Sequence, residues 1–250
     1  MRVLVTGASS GIGEAFARDY AKSGHDVILT GRSTTALEHI TAELTAQGHR
    51  VRFITADLST PQGIETLIDQ CGEVDVLIAN AGITAAGSIG TIDRDELDRL
   101  AYLMTAGIVR LCEALVPGMI ARHHGVVVIV SSIAAFTPMR KAAPYSAAKT
   151  YATAYARSLA LEVQERGIQV VAMCPGYVRT DLHRRAGLQH LSTRVPNWMW
   201  LNPDDIVAST YRALRRKKVV VVPGLAYRVV KPFLASSLAQ GVWQRLTRRR

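Results

Sequence analysis

No acidic residue follows Asp205 in a chain of 250. All 20 Asp and Glu precede that point, against 19 of the 30 Lys and Arg, so residues 1–205 carry a net −1 and residues 206–250 a net +11. The overall +10 therefore belongs to the tail, and a uniformly basic nucleic-acid-binding domain is not what this composition describes. Cysteine is scarce too. Cys71, Cys112 and Cys174 are odd in number, far apart and without metal-ligand spacing, which points to free thiols in a reducing compartment and to no metal site. The one adjacent histidine pair, His123-His124, reads as surface residues. The chain shows no run of 18 consecutive apolar residues, no internal repeat and no low-complexity linker. Met1-Arg2 runs straight into an apolar stretch, leaving no room for a cleavable signal. Together these point to a soluble cytoplasmic protein, one domain of 1–224 followed by a basic amphipathic extension, 225–250.

What is present is a pattern. Val3-Leu4-Val5 reads as a strand, and Ala15, Phe16, Ala17, Tyr20 and Ala21 recur at helical spacing after it. Between them lies Thr6-Gly7-Ala8-Ser9-Ser10-Gly11-Ile12-Gly13. A glycine-rich turn between a strand and a helix can bring a diphosphate against bare backbone at the positive end of the helix. Gly7 permits the sharp exit from the strand, Gly11 keeps a Cβ out of the way, and Gly13 lets the helix pack closely. An ordinary glycine turn is the other reading of the motif alone. Its context decides, because strands at 26–30, 51–55, 74–79, 126–130, 168–173 and 219–222 alternate with helices over the rest of the chain. That alternation predicts a doubly wound parallel sheet of about seven strands, Rossmann-like, with ligands at the strand C-termini. Leu97 to Arg122 reads as helical, with a kink or interruption expected at Pro117-Gly118.

Further motifs follow in order: Asn80-Ala81-Gly82, Ser132, Tyr145-Ser146-Ala147-Ala148-Lys149 and Pro175-Gly176-Tyr177-Val178-Arg179-Thr180. With the glycine turn, they resemble the short-chain dehydrogenase/reductase family over roughly residues 1–222. The resemblance implies an NAD(P)-dependent oxidoreductase acting on a small-molecule carbonyl or alcohol. It places cofactor contacts at Gly7, Ser9, Ser10, Gly11, Ile12 and Gly13. Asp57 and Leu58 would line the adenine, Asn80, Ala81 and Gly82 would support the central strands beside the cofactor, and Lys149 would bind the nicotinamide ribose. Pro175, Gly176 and Val178 lead to Thr180, which would hold the carboxamide unless it is simply a helix N-cap. The family commonly forms homodimers or homotetramers, and the Ala-rich stretch 147–160 would suit close packing between subunits.

The chemistry of the pair can be argued from the residues themselves. Tyr145 and Lys149 are four apart near a helix start, so both project from one face. A phenol titrates near about 10, and a nearby ammonium favours the phenolate, so Lys149 is expected to lower the pKa of Tyr145. Tyr145 can then exchange a proton with a substrate oxygen while hydride moves to or from the nicotinamide. Ser132, at the end of the fifth strand, can hold that oxygen. The cofactor is expected to be NADP(H) in preference to NAD(H). An acidic residue that would bind a ribose 2′-hydroxyl at the end of the second strand is missing, and Gly31-Arg32 stands in its place, where Arg32 can grip a 2′-phosphate.

Three features leave alternatives open. Alignment with the family puts Met104 where an asparagine normally helps hold a relay water. Methionine cannot donate that bond, so the relay is impaired, or a backbone carbonyl holds the water and Met104 merely packs the core. His183, Arg184, Arg185, Leu188, His190, Leu191, Arg194, Trp198, Met199 and Trp200 suit a lid over a hydrophobic substrate, and equally a dimer-facing loop. In the tail, Leu234, Leu238, Val242 and Leu246 form one helical stripe beside Trp243, with Pro232 in a first helical turn. Such a stripe next to Arg248-Arg249-Arg250 fits peripheral contact with the inner surface of an anionic membrane, or packing on the domain or a partner subunit. A dinucleotide-binding regulatory protein with little turnover is the rival to an enzyme. Nucleic-acid binding rests on the tail alone and is set aside.

Overall fold

The computed structural model of the chain describes residues 1–180 and 195–234, with side chains up to Val229. In chain order the main elements are β1 (Arg2–Thr6), α1 (Gly11–Lys22), β2 (Asp26–Gly31), α2 (Thr34–Ala46), β3 (Val51–Thr55), α3 (Pro61–Cys71) and β4 (Val76–Ala79). Then come α4 (Arg94–Met104), α5 (Ala106–Ala121), β5 (Gly125–Val130), α6 (Ala143–Val163), β6 (Ile168–Met173), α7 (Pro203–Arg215), β7 (Val220–Val221) and α8 (Leu225–Leu234). All pairings are parallel, in the order β3-β2-β1-β4-β5-β6-β7. The order reverses between β1 and β4, so a crevice opens there at the strand C-termini.

The strands are apolar on both faces because helices cover both. Val3 and Val5 point to one side, with Phe16, Ala17 and Tyr20 of α1, Leu37 and Leu44 of α2 and Ile206 of α7. Leu4 points to the other, with Leu67 of α3, Leu100 of α4, Leu111 of α5 and the alanines of α6. A period of two within each strand thus feeds two cores.

Pro117 lies inside α5 without ending it, and the interruption falls at Thr105, whose φ of −127° and ψ of −87° separate α4 from α5. The Thr105 hydroxyl donates to the Ala101 carbonyl at 2.6 Å, and a Cβ on Gly107 would stand 3.1 Å from the Tyr102 carbonyl. The rod is interrupted at Thr105 and not at the proline. The pair Arg94–Ala121 is long and apolar enough to cross a membrane by length and composition, although the sequence shows no unbroken apolar run; half of its apolar window is buried inside the domain.

Four alanines of α6 pack inside the domain. Ala148, Ala152, Ala156 and Ala160 recur every fourth residue and are all nearly inaccessible. They seat α6 closely on the sheet, whereas Ala147 and Ala154 of the same stretch stay exposed. The surface that α6 does present includes Tyr151 and Leu161. In the tail, α8 begins at Leu225, so Pro232 is not in its first turn. The stripe beyond Leu234 and the basic stretch 181–194 lie outside the described residues.

Candidate active site

The glycine turn needs its glycines for identifiable reasons. Gly7 and Gly11 have φ of +63° and +61°, conformations that residues with a Cβ rarely adopt. A Cβ on Gly7 would also stand 2.9 Å from the Ala81 Cα, and one on Gly13 would overlap the Gly7 carbonyl. Asn80 clamps this junction. Its side-chain amide donates to the Thr6 carbonyl at 2.9 Å and to the Gly7 carbonyl at 3.2 Å, while the Thr6 hydroxyl accepts from the Asn80 and Ala81 amides, each at 2.9 Å. Thr6 thus contributes as much as Asn80 to joining β1 and β4. It stands inside the glycine motif, but sequence reasoning gave it no role.

At Gly11 the vacant Cβ position is filled from an unexpected direction. The Thr180 methyl would be 2.7 Å from a Cβ there, so the turn after β6 closes directly against the turn after β1. Arg32 follows β2, with no ion pair among the described residues. Asp57 follows β3 and is already engaged. Its Oδ1 accepts from the Ser59 amide at 3.1 Å and hydroxyl at 2.7 Å, and its Oδ2 from Arg99 at 2.8 Å. Burial alone would raise the Asp57 pKa, but those Ser59 bonds and the charges of Arg99 and Arg32 leave it below the ordinary range. Arg99, from α4, was not anticipated; no local motif marks a contact across 42 residues. Leu58 is buried beside Asp57. Ser9, Ser10 and Ile12 lie partly exposed in the glycine turn, and Gly82 backs the crevice.

The three chemical groups converge at the ends of β5 and α6. Ser132 caps a short 3₁₀ turn, its hydroxyl accepting from the Ala134 amide at 3.1 Å. The same hydroxyl hydrogen-bonds the Tyr145 phenol. Lys149 is buried, and its Nζ donates to the Val130 carbonyl at 2.8 Å while standing 5.7 Å from the centroid of the Tyr145 ring. Ser131 pins this corner from behind, donating to the Lys149 carbonyl at 2.8 Å and lying 2.7 Å from the Thr153 hydroxyl.

The electrostatics differ from the expected pattern. Burial pushes the Tyr145 pKa up, and the bond from Ser132 opposes it only in part. Burial also brings the Lys149 pKa down to about 8, against an opposing influence of Cys174. In the protein alone the phenol is therefore an acid that holds its proton. Met104 is fully buried. A Cβ on Gly82 would meet its sulfur at 3.5 Å and the Lys149 ammonium at 3.6 Å, so Met104 and the lysine flank the same glycine.

The last wall is the turn 175–180. The Ile133 amide donates to the Pro175 carbonyl at 2.8 Å, tying this turn to Ser132. Val178 is buried and bridges to Leu201, with the Leu201 amide donating to Tyr177 and the Arg179 amide to Leu201, both at 2.9 Å.

Every strand-end motif thus meets along one edge of the sheet. The cradle of left-handed glycines at the start of α1, with Arg32 beside it, has the form that a dinucleotide requires. Fold and site define a Rossmann-like α/β protein. Comparison with known proteins narrows this. The family model described as short chain dehydrogenase matches residues 1–190. The chain is 38% identical over 194 residues to a dehydrogenase/reductase SDR family member 7B from Bos taurus, covering 74% of this chain and 60% of that protein. It is 35% identical over 187 residues to the oxidoreductase UcpA of Escherichia coli K12, covering 72% and 70%. Among solved structures, a short-chain dehydrogenase from Sphingobium yanoikuyae in complex with NADPH superposes with a TM-score of 0.83 at 29% identity, covering 100% of this chain and 96% of that one. This chain belongs to the short-chain dehydrogenase/reductase family, a family of oxidoreductases. The match spans less than two thirds of the bovine relative's length.

Proposed function

We propose that this protein is an NADP(H)-dependent oxidoreductase of carbonyl and alcohol substrates, with Tyr145 as general acid and base. The observation that carries the reading is the hydrogen bond between Ser132 and Tyr145 beside a buried Lys149, at the open edge of the glycine-lined crevice. The nicotinamide supplies or accepts the hydride. Ser132 holds the substrate oxygen, and Tyr145, whose resting form is the protonated phenol, gives that oxygen its proton in reduction and takes it back in oxidation. Lys149 binds the nicotinamide ribose and, in the ternary complex, favours the phenolate as it forms. Arg32 takes the 2′-phosphate, and the NADPH-bound neighbour supports that choice.

The substrate reading is a hydrophobic carbonyl or alcohol. Ile89, Met139, Trp198, Leu225 and Val229 are exposed large apolar side chains on the segments that follow β4, β5, β6 and β7, the edge where the crevice opens. The same apolar rim, together with a sequence that has no acid after Asp205, supports peripheral contact with an anionic membrane from the cytoplasmic side. Tyr151 and Leu161 on the outer face of α6 support a homo-oligomer.

Monitoring NADPH oxidation against a panel of aldehydes, ketones and long-chain keto compounds tests the proposal. Tyr145→Phe is expected to keep NADPH binding and to lose about 10²- to 10⁴-fold in turnover. Equal turnover by wild type and variant would remove Tyr145 from the chemistry and favour the regulatory reading.

A further inference from the structure

Tyr227 lies on α8, beyond the residues matched by the family model, and its side chain is buried against the turn after β6. Its hydroxyl is used twice. It accepts from the Tyr177 amide at 3.0 Å and donates to the Met199 carbonyl at 2.7 Å. One phenol therefore bridges the two chain segments that leave and return at this edge of the sheet, Tyr177 on the way out and Met199 on the way back. The ring itself covers Gly176, where any side chain would overlap its carbons. A glycine is needed at 176 because an aromatic ring, not solvent, occupies the space above it.

The turn held in this way touches both halves of the site. Pro175 is bonded to the residue after Ser132, and Thr180 rests on Gly11. Backbone between these anchors is short, so a shift at Tyr177 is transmitted to Thr180 three residues on. We propose that Tyr227 is a positioning residue for the nicotinamide end of the cofactor site, and that the start of α8 belongs to the catalytic unit instead of to a separable tail. The proposal rests on the cofactor assignment above, with Tyr227 acting through Tyr177 and Gly176.

Its signature is selectivity between the two ends of the cofactor. The full-length protein is titrated with NADPH and with adenosine 2′,5′-bisphosphate, which carries the adenine and the 2′-phosphate but no nicotinamide. Tyr227→Phe keeps the ring over Gly176 and removes the hydroxyl, leaving the Tyr177 amide and Met199 carbonyl without it. It is expected to weaken NADPH roughly tenfold and to leave the bisphosphate at wild-type affinity. Gly176→Ala drives the same ring away from the turn and is expected to show the same selective loss, which keeps the proposal testable if the phenylalanine variant does not fold. Parallel weakening of both ligands would mean that Tyr227 merely supports the fold, and unchanged affinity for both would mean that it positions nothing; either overturns the proposal. Failure of the wild type to bind either ligand would instead overturn the cofactor assignment on which it stands.

Discussion

Replacing Lys149 with methionine should make the ligand-free protein more stable at neutral pH while disabling it. The lysine is 5% exposed, and its ammonium donates to the neutral Val130 carbonyl and stands over the Tyr145 ring, with no carboxylate in an ion pair with it among the described residues. Burial brings its pKa from the ordinary 10.5 to about 8. The folded chain therefore holds this proton less tightly than the unfolded chain. The resulting penalty is complete below about pH 8 and disappears as pH rises toward 10.5, so wild-type stability gains through that window. Converted at 1.36 kcal/mol per tenfold, the penalty is about 3 kcal/mol at pH 7 and about 1 kcal/mol at pH 10. Methionine removes it but leaves the Val130 carbonyl unpaired, a loss of about 1 kcal/mol at either pH. The expected net gain is about 2 kcal/mol at pH 7, or about 4–8 °C in Tm for a chain of this size, and close to nothing at pH 10. Thermal melts of both proteins at the two pH values measure it. The difference between pH values matters more than either gain, because packing changes cancel from it. A Tm difference that stays constant between pH 7 and pH 10 would refute the reasoning, since the lysine would then carry no buried-charge penalty.

Other outcomes follow from single features. Gly31→Asp with Arg32→Ala should move cofactor preference from NADPH toward NADH in steady-state assays; equal wild-type affinity for both cofactors would sink the assignment of Arg32. Met104→Asn places an amide beside Gly82 and Lys149, and a clear rise in turnover would show that methionine limits proton return, whereas unchanged turnover would assign Met104 to packing. The tail should be cut after Leu234, because a cut before Tyr227 removes a core residue. The full-length protein should then sediment with anionic liposomes at low salt and leave them as salt rises, and the shortened one should not bind. Equal behaviour of the two, with loss of an oligomer on truncation, would assign the tail to subunit contact.

Much of the site was legible because it is built from strand ends. A parallel sheet brings the residue after every strand to one edge, so the order of motifs in the chain already placed Gly7, Asp57, Asn80, Ser132 and Thr180 as neighbours. What escaped were groups that reach the edge from helices by long excursions. Arg99 meets Asp57 and Tyr227 meets Tyr177 through contacts that no spacing rule describes, since a helix face shows only that a residue points inward, not what it finds there. The four buried alanines of α6 were misread for a related reason. Small residues at helical spacing announce a close approach, but the pattern is the same whether the partner is a sheet of the same chain or a second copy. The acidity of Tyr145 was misjudged because sequence spacing predicts that Lys149 is near. It cannot say that the phenol is buried deeply enough for desolvation to push its pKa up.

The alanine stripe also divides the catalytic geometry into two mechanical parts. Tyr145 and Lys149 ride on one helix, so their separation is set by the helix itself, whereas Ser132 stands just past β5, at the start of the short 3₁₀ turn. The height of α6 above β5 and β6 is therefore an adjustable dimension of its own. A bulkier residue at Ala152 or Ala156 would lift the pair together, at about 1–3 kcal/mol for overpacking, and open the Ser132 bond without altering the spacing between tyrosine and lysine. Side chains buried well behind the crevice can thus tune how tightly the substrate oxygen is gripped, and they leave the acid and its cation in step with one another.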